Sequence, residues 1–132
     1  MNEPNRDKVL FLDDDEFFVN IYKRKFTEKG YVIQVAKSVD EALDQIHNGF
    51  VPDAIIFDLE MKEKDGFIFL EALRDRHLAE GAYLIALTNH SAAEDRRRAL
   101  ELGTNMYIVK AEMIPDEVLD KTINAIEKRK TG

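Results

Sequence analysis

The chain has 132 residues, a formal net charge of −7 and no cysteine, which allows one domain burying roughly two-thirds of its unfolded surface. Disulfides and thiolate metal sites are excluded, a reducing, cytoplasmic setting fits, and the acidic balance argues against nonspecific nucleic-acid binding. No apolar stretch approaches the ~18 residues of a membrane span, and the polar opening Met1-Asn-Glu-Pro-Asn-Arg6 has no signal-peptide core.

In chain order, Val9 to Leu12 reads as a buried strand that ends abruptly in Asp13-Asp14-Asp15. A helix is predicted from about Glu16 to Glu28, where Phe18, Tyr22 and Phe26 recur on one stripe with Phe17 and Ile21 beside them. Gly30 is its stop signal. Tyr31 to Val35 is a second strand. Ser38 and Glu41 form a capping box for a helix that buries Ala42, Leu43 and Ile46 and stops near Gly49.

The next strand, Asp53 to Phe57, is entered through Pro52 and ends on a solitary carboxylate, Asp58. Asp65-Gly66 is a turn signal, and Phe67 to about His77 reads as a helix. Tyr83 to Leu87 is a fourth strand leading into Thr88-Asn89-His90. Ser91 and Glu94 spell a second capping box, and the helix behind it turns Ala99 and Leu102 inward before Gly103. Met106 to Val109 is the fifth strand, ending in Lys110. A last helix starts near Pro115 and presents Val118, Leu119, Thr122 and Ile126 on one face.

Strict β-α alternation implies right-handed crossovers and a doubly wound parallel sheet with helices on both faces. In such sheets the chemistry sits just past the carboxyl ends of the strands. That edge would gather Asp13 and Asp14, Asp58, Thr88 and Lys110. Carboxylates about 5 Å apart repel by roughly 3 kcal/mol per pair at an effective dielectric near 20, so they must protonate or find a cation. An all-oxygen cluster suits Mg²⁺. Metal, ammonium and hydroxyl together would stabilise a phosphoryl group on a carboxylate. Asp58 is the natural nucleophile because it stands alone; the Asp13-Asp14 pair is better placed to hold metal.

Val9-Leu-Phe-Leu-Asp13-Asp14, Pro52-Asp-Ala-Ile-Ile-Phe-Asp58, Met61 with Asp65-Gly66, Leu87-Thr88, Ala99 to Gly103 and Tyr107-Ile-Val-Lys110 form a spaced set. Over nearly the whole chain, that set resembles the response-regulator receiver domains of two-component signalling. The resemblance implies a flavodoxin-like five-stranded sheet in the order 2-1-3-4-5. It implies that Asp58 accepts phosphate from the phosphohistidine of a sensor histidine kinase or phosphotransfer protein. It also implies that Asp14 binds Mg²⁺ directly, Asp13 largely through water, and the Glu60 carbonyl as a further ligand beside Asp58. Thr88 would move toward the phosphoryl group, Lys110 would pair with it, and Tyr107 would turn inward. Glu60 and His90 occupy positions that tune phosphoryl lifetime in the family.

Two departures concern loops: Lys62 and Ala111 stand where receivers commonly carry proline. A non-proline cis peptide costs roughly 3 kcal/mol, so the Lys110–Ala111 bond is expected to be trans, with the following loop re-routed to let Lys110 reach Asp58. Arg96-Arg97-Arg98 fan around a helix instead of forming one basic face, so no direct nucleic-acid contact is expected. The chain ends with its fifth helix. It therefore reads as a single, stand-alone receiver of residues 1–132, a monomer or weak dimer. It is expected to have no output domain, no membrane contact and no external substrate to turn over, and to signal to a downstream protein through a protein surface, unless it is an excised piece of a larger regulator or hybrid kinase. Two rivals remain. One is a haloacid-dehalogenase-like phosphatase with Asp13 as nucleophile and Asp15 as acid. The other is a receiver that only docks and is never phosphorylated.

Overall fold

A computed structural model describes residues 7–131. Its elements are β1 (Lys8–Leu12), α1 (Glu16–Glu28), β2 (Val32–Ala36), α2 (Val39–His47), β3 (Ala54–Phe57), α3 (Gly66–Asp75), β4 (Tyr83–Thr88), α4 (Ala93–Glu101), β5 (Met106–Val109) and α5 (Pro115–Thr131), with a 3₁₀ turn at Lys110–Glu112. All strands pair in parallel in the order β2-β1-β3-β4-β5, as the alternation and the resemblance imply.

The two-residue period of the strands divides the core in two. Leu10, Leu12, Ile55, Phe57 and Ala86 face α2, α3 and α4, meeting Leu43, Phe69, Leu70 and Ala99. Val9, Phe11, Ile56, Ile85, Leu87 and Ile108 face α1 and α5, meeting Tyr22, Phe26, Val118, Leu119 and Ile126. Both faces of the central strands are therefore covered, which is why their sequences run apolar without alternation. No helix among the described residues is long and apolar enough to cross a membrane.

Local signals set most of the helix ends. The Asp15 carboxylate accepts the Phe17 amide at 2.9 Å and caps α1. Gly30 closes the same helix at φ +88°. Its amide bonds the Thr27 carbonyl and the Tyr31 amide bonds the Phe26 carbonyl, both at 3.0 Å, a Schellman stop that favours a residue without Cβ. Ser38 Oγ accepts the Glu41 amide at 3.1 Å, while the Glu41 carboxylate reaches back to the Lys37 amide at 2.7 Å.

Three details differ from expectation. Ser91 does not cap α4: Ala92 is the capping residue and offers no side-chain bond. Phe17 is 72% exposed, because the buried face of α1 is centred on Val19, Tyr22 and Phe26 and leaves residue 17 on its far side. The third helix ends at Asp75, before His77 and Ala79 adopt positive φ of 53° and 52°.

Candidate functional site

Sheet register builds the site. Leu12 pairs with Phe57, so the next residues, Asp13 and Asp58, leave the sheet side by side. Their backbones are held in place: the Asp13 amide donates to the Ala36 carbonyl at 3.1 Å and the Asp58 amide to the Leu12 carbonyl at 3.0 Å. Thr88 pairs with Val109, so Lys110 departs one step later. Neighbouring strands lie about 4.8 Å apart, which puts Lys110 two strands from Asp58. Only a long side chain spans that gap.

Lys110 does span it. Its Nζ lies 2.8 Å from Asp58 Oδ2 and 2.8 Å from Asp13 Oδ2, and 4.5 Å from the centre of the Phe18 ring. None of the described peptide bonds is cis, so Lys110–Ala111 is trans, as expected, and the 3₁₀ turn carries the chain onward. The remaining carboxylate oxygens accept backbone amides: Asp13 Oδ1 from Asp15 at 2.9 Å, and Asp58 Oδ1 from Glu60 at 2.9 Å.

One ammonium shared between two buried carboxylates leaves an excess of negative charge. Burial pushes the Asp13 carboxyl above its ordinary value of 3.8, and Coulombic repulsion from Asp58 adds to this, against the pull of Lys110 and the Asp15 amide. For Lys110 burial works against the charge, but hydrogen bonds to Asp13 and Asp58 outweigh it and hold the ammonium above its usual 10.5. Burial therefore dominates at Asp13, while at Lys110 the two carboxylate partners together outweigh it.

An open depression of about 360 Å³ lies over these groups, lined by Asp13, Asp14, Asp15, Asp58, Glu60, Met61, Lys62, Asn89 and Lys110. A larger one of about 450 Å³ lies at the amino ends of β4 and β5 among Leu70, Leu73, Leu78 and Leu102. It also carries Arg74, His77, Glu80, Asn105 and Arg129, but it lies at the opposite ends of the strands from Asp13, Asp58 and Lys110, so the chemistry belongs to the smaller depression.

Asp14 stands half-exposed on the rim, where its Oδ2 accepts the Lys62 amide at 3.2 Å. The exposed Glu60 lines the same depression. Thr88, fully buried, is not part of the lining; its Oγ accepts the His90 amide at 3.3 Å. The Tyr107 hydroxyl donates to the His90 carbonyl at 2.8 Å. His90 Nδ1 is 3.3 Å from Asp95 Oδ2 but outside hydrogen-bond geometry.

Sequence reasoning missed Asn89 as a lining residue and Phe18 as the ring beside the ammonium. The loop after β4 pointed to Asn89; nothing local pointed to Phe18. The three arginines of α4 part as expected: Arg96 lies over Tyr107, Arg97 pairs with Glu94 and Glu101, and Arg98 lies 4.2 Å over Phe67 beside Glu71.

The donors at the depression are hard oxygens, from the carboxylates of Asp13, Asp14 and Asp58, with Glu60 also in the lining. Among the described residues no three acidic or histidine side chains close into a preformed metal cage. Mg²⁺ does not need one, since it keeps several waters and takes one or two protein carboxylates. The buried Asp13, short of counter-charge, completes a donor set that fits this ion.

Comparison with known proteins agrees with this geometry. Residues 9–123 match the model of the response regulator receiver domain. The sensor histidine kinase CheAY of Helicobacter pylori is 33% identical over 110 residues, 83% of this chain but 14% of that protein. The transcriptional regulatory protein CpxR of Escherichia coli is 32% identical over 92% of this chain and 50% of its own length. The chain thus spans half or less of these two relatives. Among solved structures, a CheY-like receiver domain protein from Methanospirillum hungatei has a TM-score of 0.85 at 25% identity, covering 97% of this chain and 100% of the other. The Francisella response regulator 1452 receiver domain has a TM-score of 0.81 at 30% identity, covering 95% and 99%. Strand order, strand-end acids and the lysine that joins them therefore agree with the family match: the chain belongs to the response-regulator receiver domains of two-component systems, with the CheY-like flavodoxin fold.

Proposed function

We propose that this receiver is a phosphorylatable switch, in which Asp58 takes a phosphoryl group from a histidine-kinase phosphohistidine in a Mg²⁺-dependent step. The observation that carries the reading is Lys110 Nζ at 2.8 Å from both Asp58 and Asp13, a positive charge set where phosphoryl oxygens would arrive. An Asp58 oxygen attacks phosphorus, the new O–P bond forms as the P–N bond breaks, and the electron pair returns to the imidazole nitrogen. The Glu60 amide holds the other Asp58 oxygen and orients the attack. Lys110 pairs with the transferred group, and Thr88 gives up the His90 amide to donate its hydroxyl to it. When bound by Asp13, Asp14, Asp58 and the Glu60 carbonyl, Mg²⁺ offsets the charge of the phosphoryl oxygens.

The Tyr107 hydroxyl on the His90 carbonyl ties that motion to β5, so the signal leaves through a protein surface there. Glu60 and His90 flank the route of an attacking water and set how long the phosphoryl group lasts. A histidine kinase as donor is supported by the names of CheAY and of hybrid signal transduction histidine kinase B of Dictyostelium discoideum, which is 29% identical over 92% of this chain. No external substrate is turned over; the chain acts in the cytoplasm as a monomer or weak dimer. The phosphatase reading is weakened by Asp15, whose carboxylate is committed to capping α1.

Incubation with Mg²⁺ and an acyl phosphate, followed by mass spectrometry, should place one phosphoryl group on Asp58. Asp58→Asn should abolish the adduct and keep the circular dichroism spectrum. An adduct on Asp13 would favour the phosphatase, and none with any donor the docking module. Mg²⁺ at millimolar levels should raise the melting temperature by mass action, and Asp14→Ala should remove that rise. A melting temperature indifferent to Mg²⁺ in the parent chain would refute the shared metal site.

A further inference from the structure

The β3–α3 loop contains a hydrogen bond that depends on the identity of residue 62. The Lys62 amide donates to Asp14 Oδ2 at 3.2 Å, and among the described residues this is the one hydrogen bond the Asp14 carboxylate receives. A proline at 62 would have no N–H to donate. We propose that the Lys62 backbone amide is a positioning group for Mg²⁺: it holds the rim carboxylate of Asp14 in the orientation that completes the metal's donor set. This rests on the phosphoacceptor reading of the site.

The loop is built to present that amide. The Lys64 amide returns to the Lys62 carbonyl at 2.8 Å around Glu63, whose φ is +67°, a γ-turn at a residue that carries a Cβ. Such a conformation is costly for a non-glycine residue and persists only where its surroundings hold it. Here they do: Lys64 Nζ is 2.8 Å from Asp40 Oδ1 at the start of α2, and the Gly66 amide closes the loop base on the Leu59 carbonyl at 3.0 Å. Both backbone groups of Lys62 are therefore engaged, one inward to Asp14 and one along the turn.

The chemical reason is that Asp14, unlike Asp13 and Asp58, has no ammonium and no second amide to restrain it. A half-exposed carboxylate left to rotate must be ordered when the ion arrives; one already held by an N–H need not be. Outer groups that orient metal-binding carboxylates commonly matter by 10- to 100-fold in affinity, and a single neutral amide on the rim belongs at the lower end. The Lys62 side chain acts in the opposite sense, since the residue lines an acidic depression and carries a positive charge.

The two effects separate by comparing Lys62→Ala with Lys62→Pro, which both lose the ammonium while only the second loses the N–H. Calorimetric titration with Mg²⁺ alone should show Lys62→Ala binding as tightly as the parent chain or more so. Lys62→Pro should bind about tenfold more weakly than Lys62→Ala. Equal affinity of the two variants, within about twofold, overturns the proposal while leaving the metal site standing. Because proline also restricts Met61, a second measurement does not use it. In Mg²⁺-free protein the Lys62 amide proton should be protected from exchange, and Asp14→Ala should remove that protection and shift its ¹⁵N–¹H resonance. An amide unaffected by Asp14→Ala overturns the proposal by itself. A parent chain that binds no Mg²⁺ overturns the site reading and this inference together.

Discussion

At Gly66 an added Cβ would lie 2.5 Å from the Asp58 carbonyl oxygen and 2.7 Å from Leu59 Cα, backbone atoms that cannot swing aside. The dipeptide Asp65-Gly66 reads as a turn, and Asp65 does cap α3, accepting the Ile68 amide at 3.0 Å. The reason for glycine is nevertheless contact: α3 starts against the segment that carries Asp58, the proposed phosphoacceptor. Gly66→Ala is expected to cost about 2 kcal/mol, as overpacking against fixed atoms does, and to slow phosphoryl uptake by displacing Asp58. Urea denaturation and the rate of adduct formation check the two effects, and unchanged stability would contradict the close approach.

The two capping boxes, Ser38–Glu41 and Ser91–Glu94, are spelled alike and fold differently. The first closes as written. The second follows a loop whose backbone is already engaged, with the His90 amide on Thr88 Oγ and the His90 carbonyl on the Tyr107 hydroxyl. With residue 90 held by β4 and β5, the helix begins one residue later than its serine and Ala92 becomes the cap. Ala92 already has the extended backbone of a capping residue, at φ −67° and ψ 136°. Ala92→Ser is therefore expected to stabilise the domain by about 1 kcal/mol, read as a higher urea midpoint at unchanged slope. No gain would mean that α4 starts elsewhere in solution.

Across the whole molecule, the protons held more tightly in the folded state set its response to alkali. Tyr107 is pushed up to about 12, by burial first and then by Asp95. Burial also raises Tyr22 and Tyr31, and Lys110 is held above 10.5 by its two carboxylates. A group whose folded value exceeds its unfolded one contributes stability that is present below the unfolded value and is lost as pH rises through the folded value. All four act in the same direction, so stability should hold up to about pH 10 and fall above it. Urea midpoints compared at about pH 9 and about pH 11 check this, and a flat profile would contradict the burial of these groups. Asp13, raised by burial, has the same sign at the acid end and favours the fold below 3.8.

The sequence by itself determined the parts that local chemistry dictates. Apolar runs ending in Asp13 and Asp58, the glycine stop at Gly30 and the α5 face of Val118, Leu119, Thr122 and Ile126 are written within a few residues of where they act. Alternation of strand and helix then implies a parallel sheet with the acids on one edge, and the family resemblance supplies the strand order. The residue types at that edge were enough to point to phosphoryl chemistry. What only the tertiary structure decided is how those groups are shared. Lys110 bridges both carboxylates because Leu12 pairs with Phe57 and Thr88 with Val109. Phe18 lies beside the ammonium, Thr88 turns to His90, and a loop amide from residue 62 reaches an acid at residue 14. The Thr88 bond is local, but the contacts of Lys110, Phe18 and Lys62 join groups far apart in the chain. Register and packing set such geometry, and a period of two or 3.6 residues has no means of recording it.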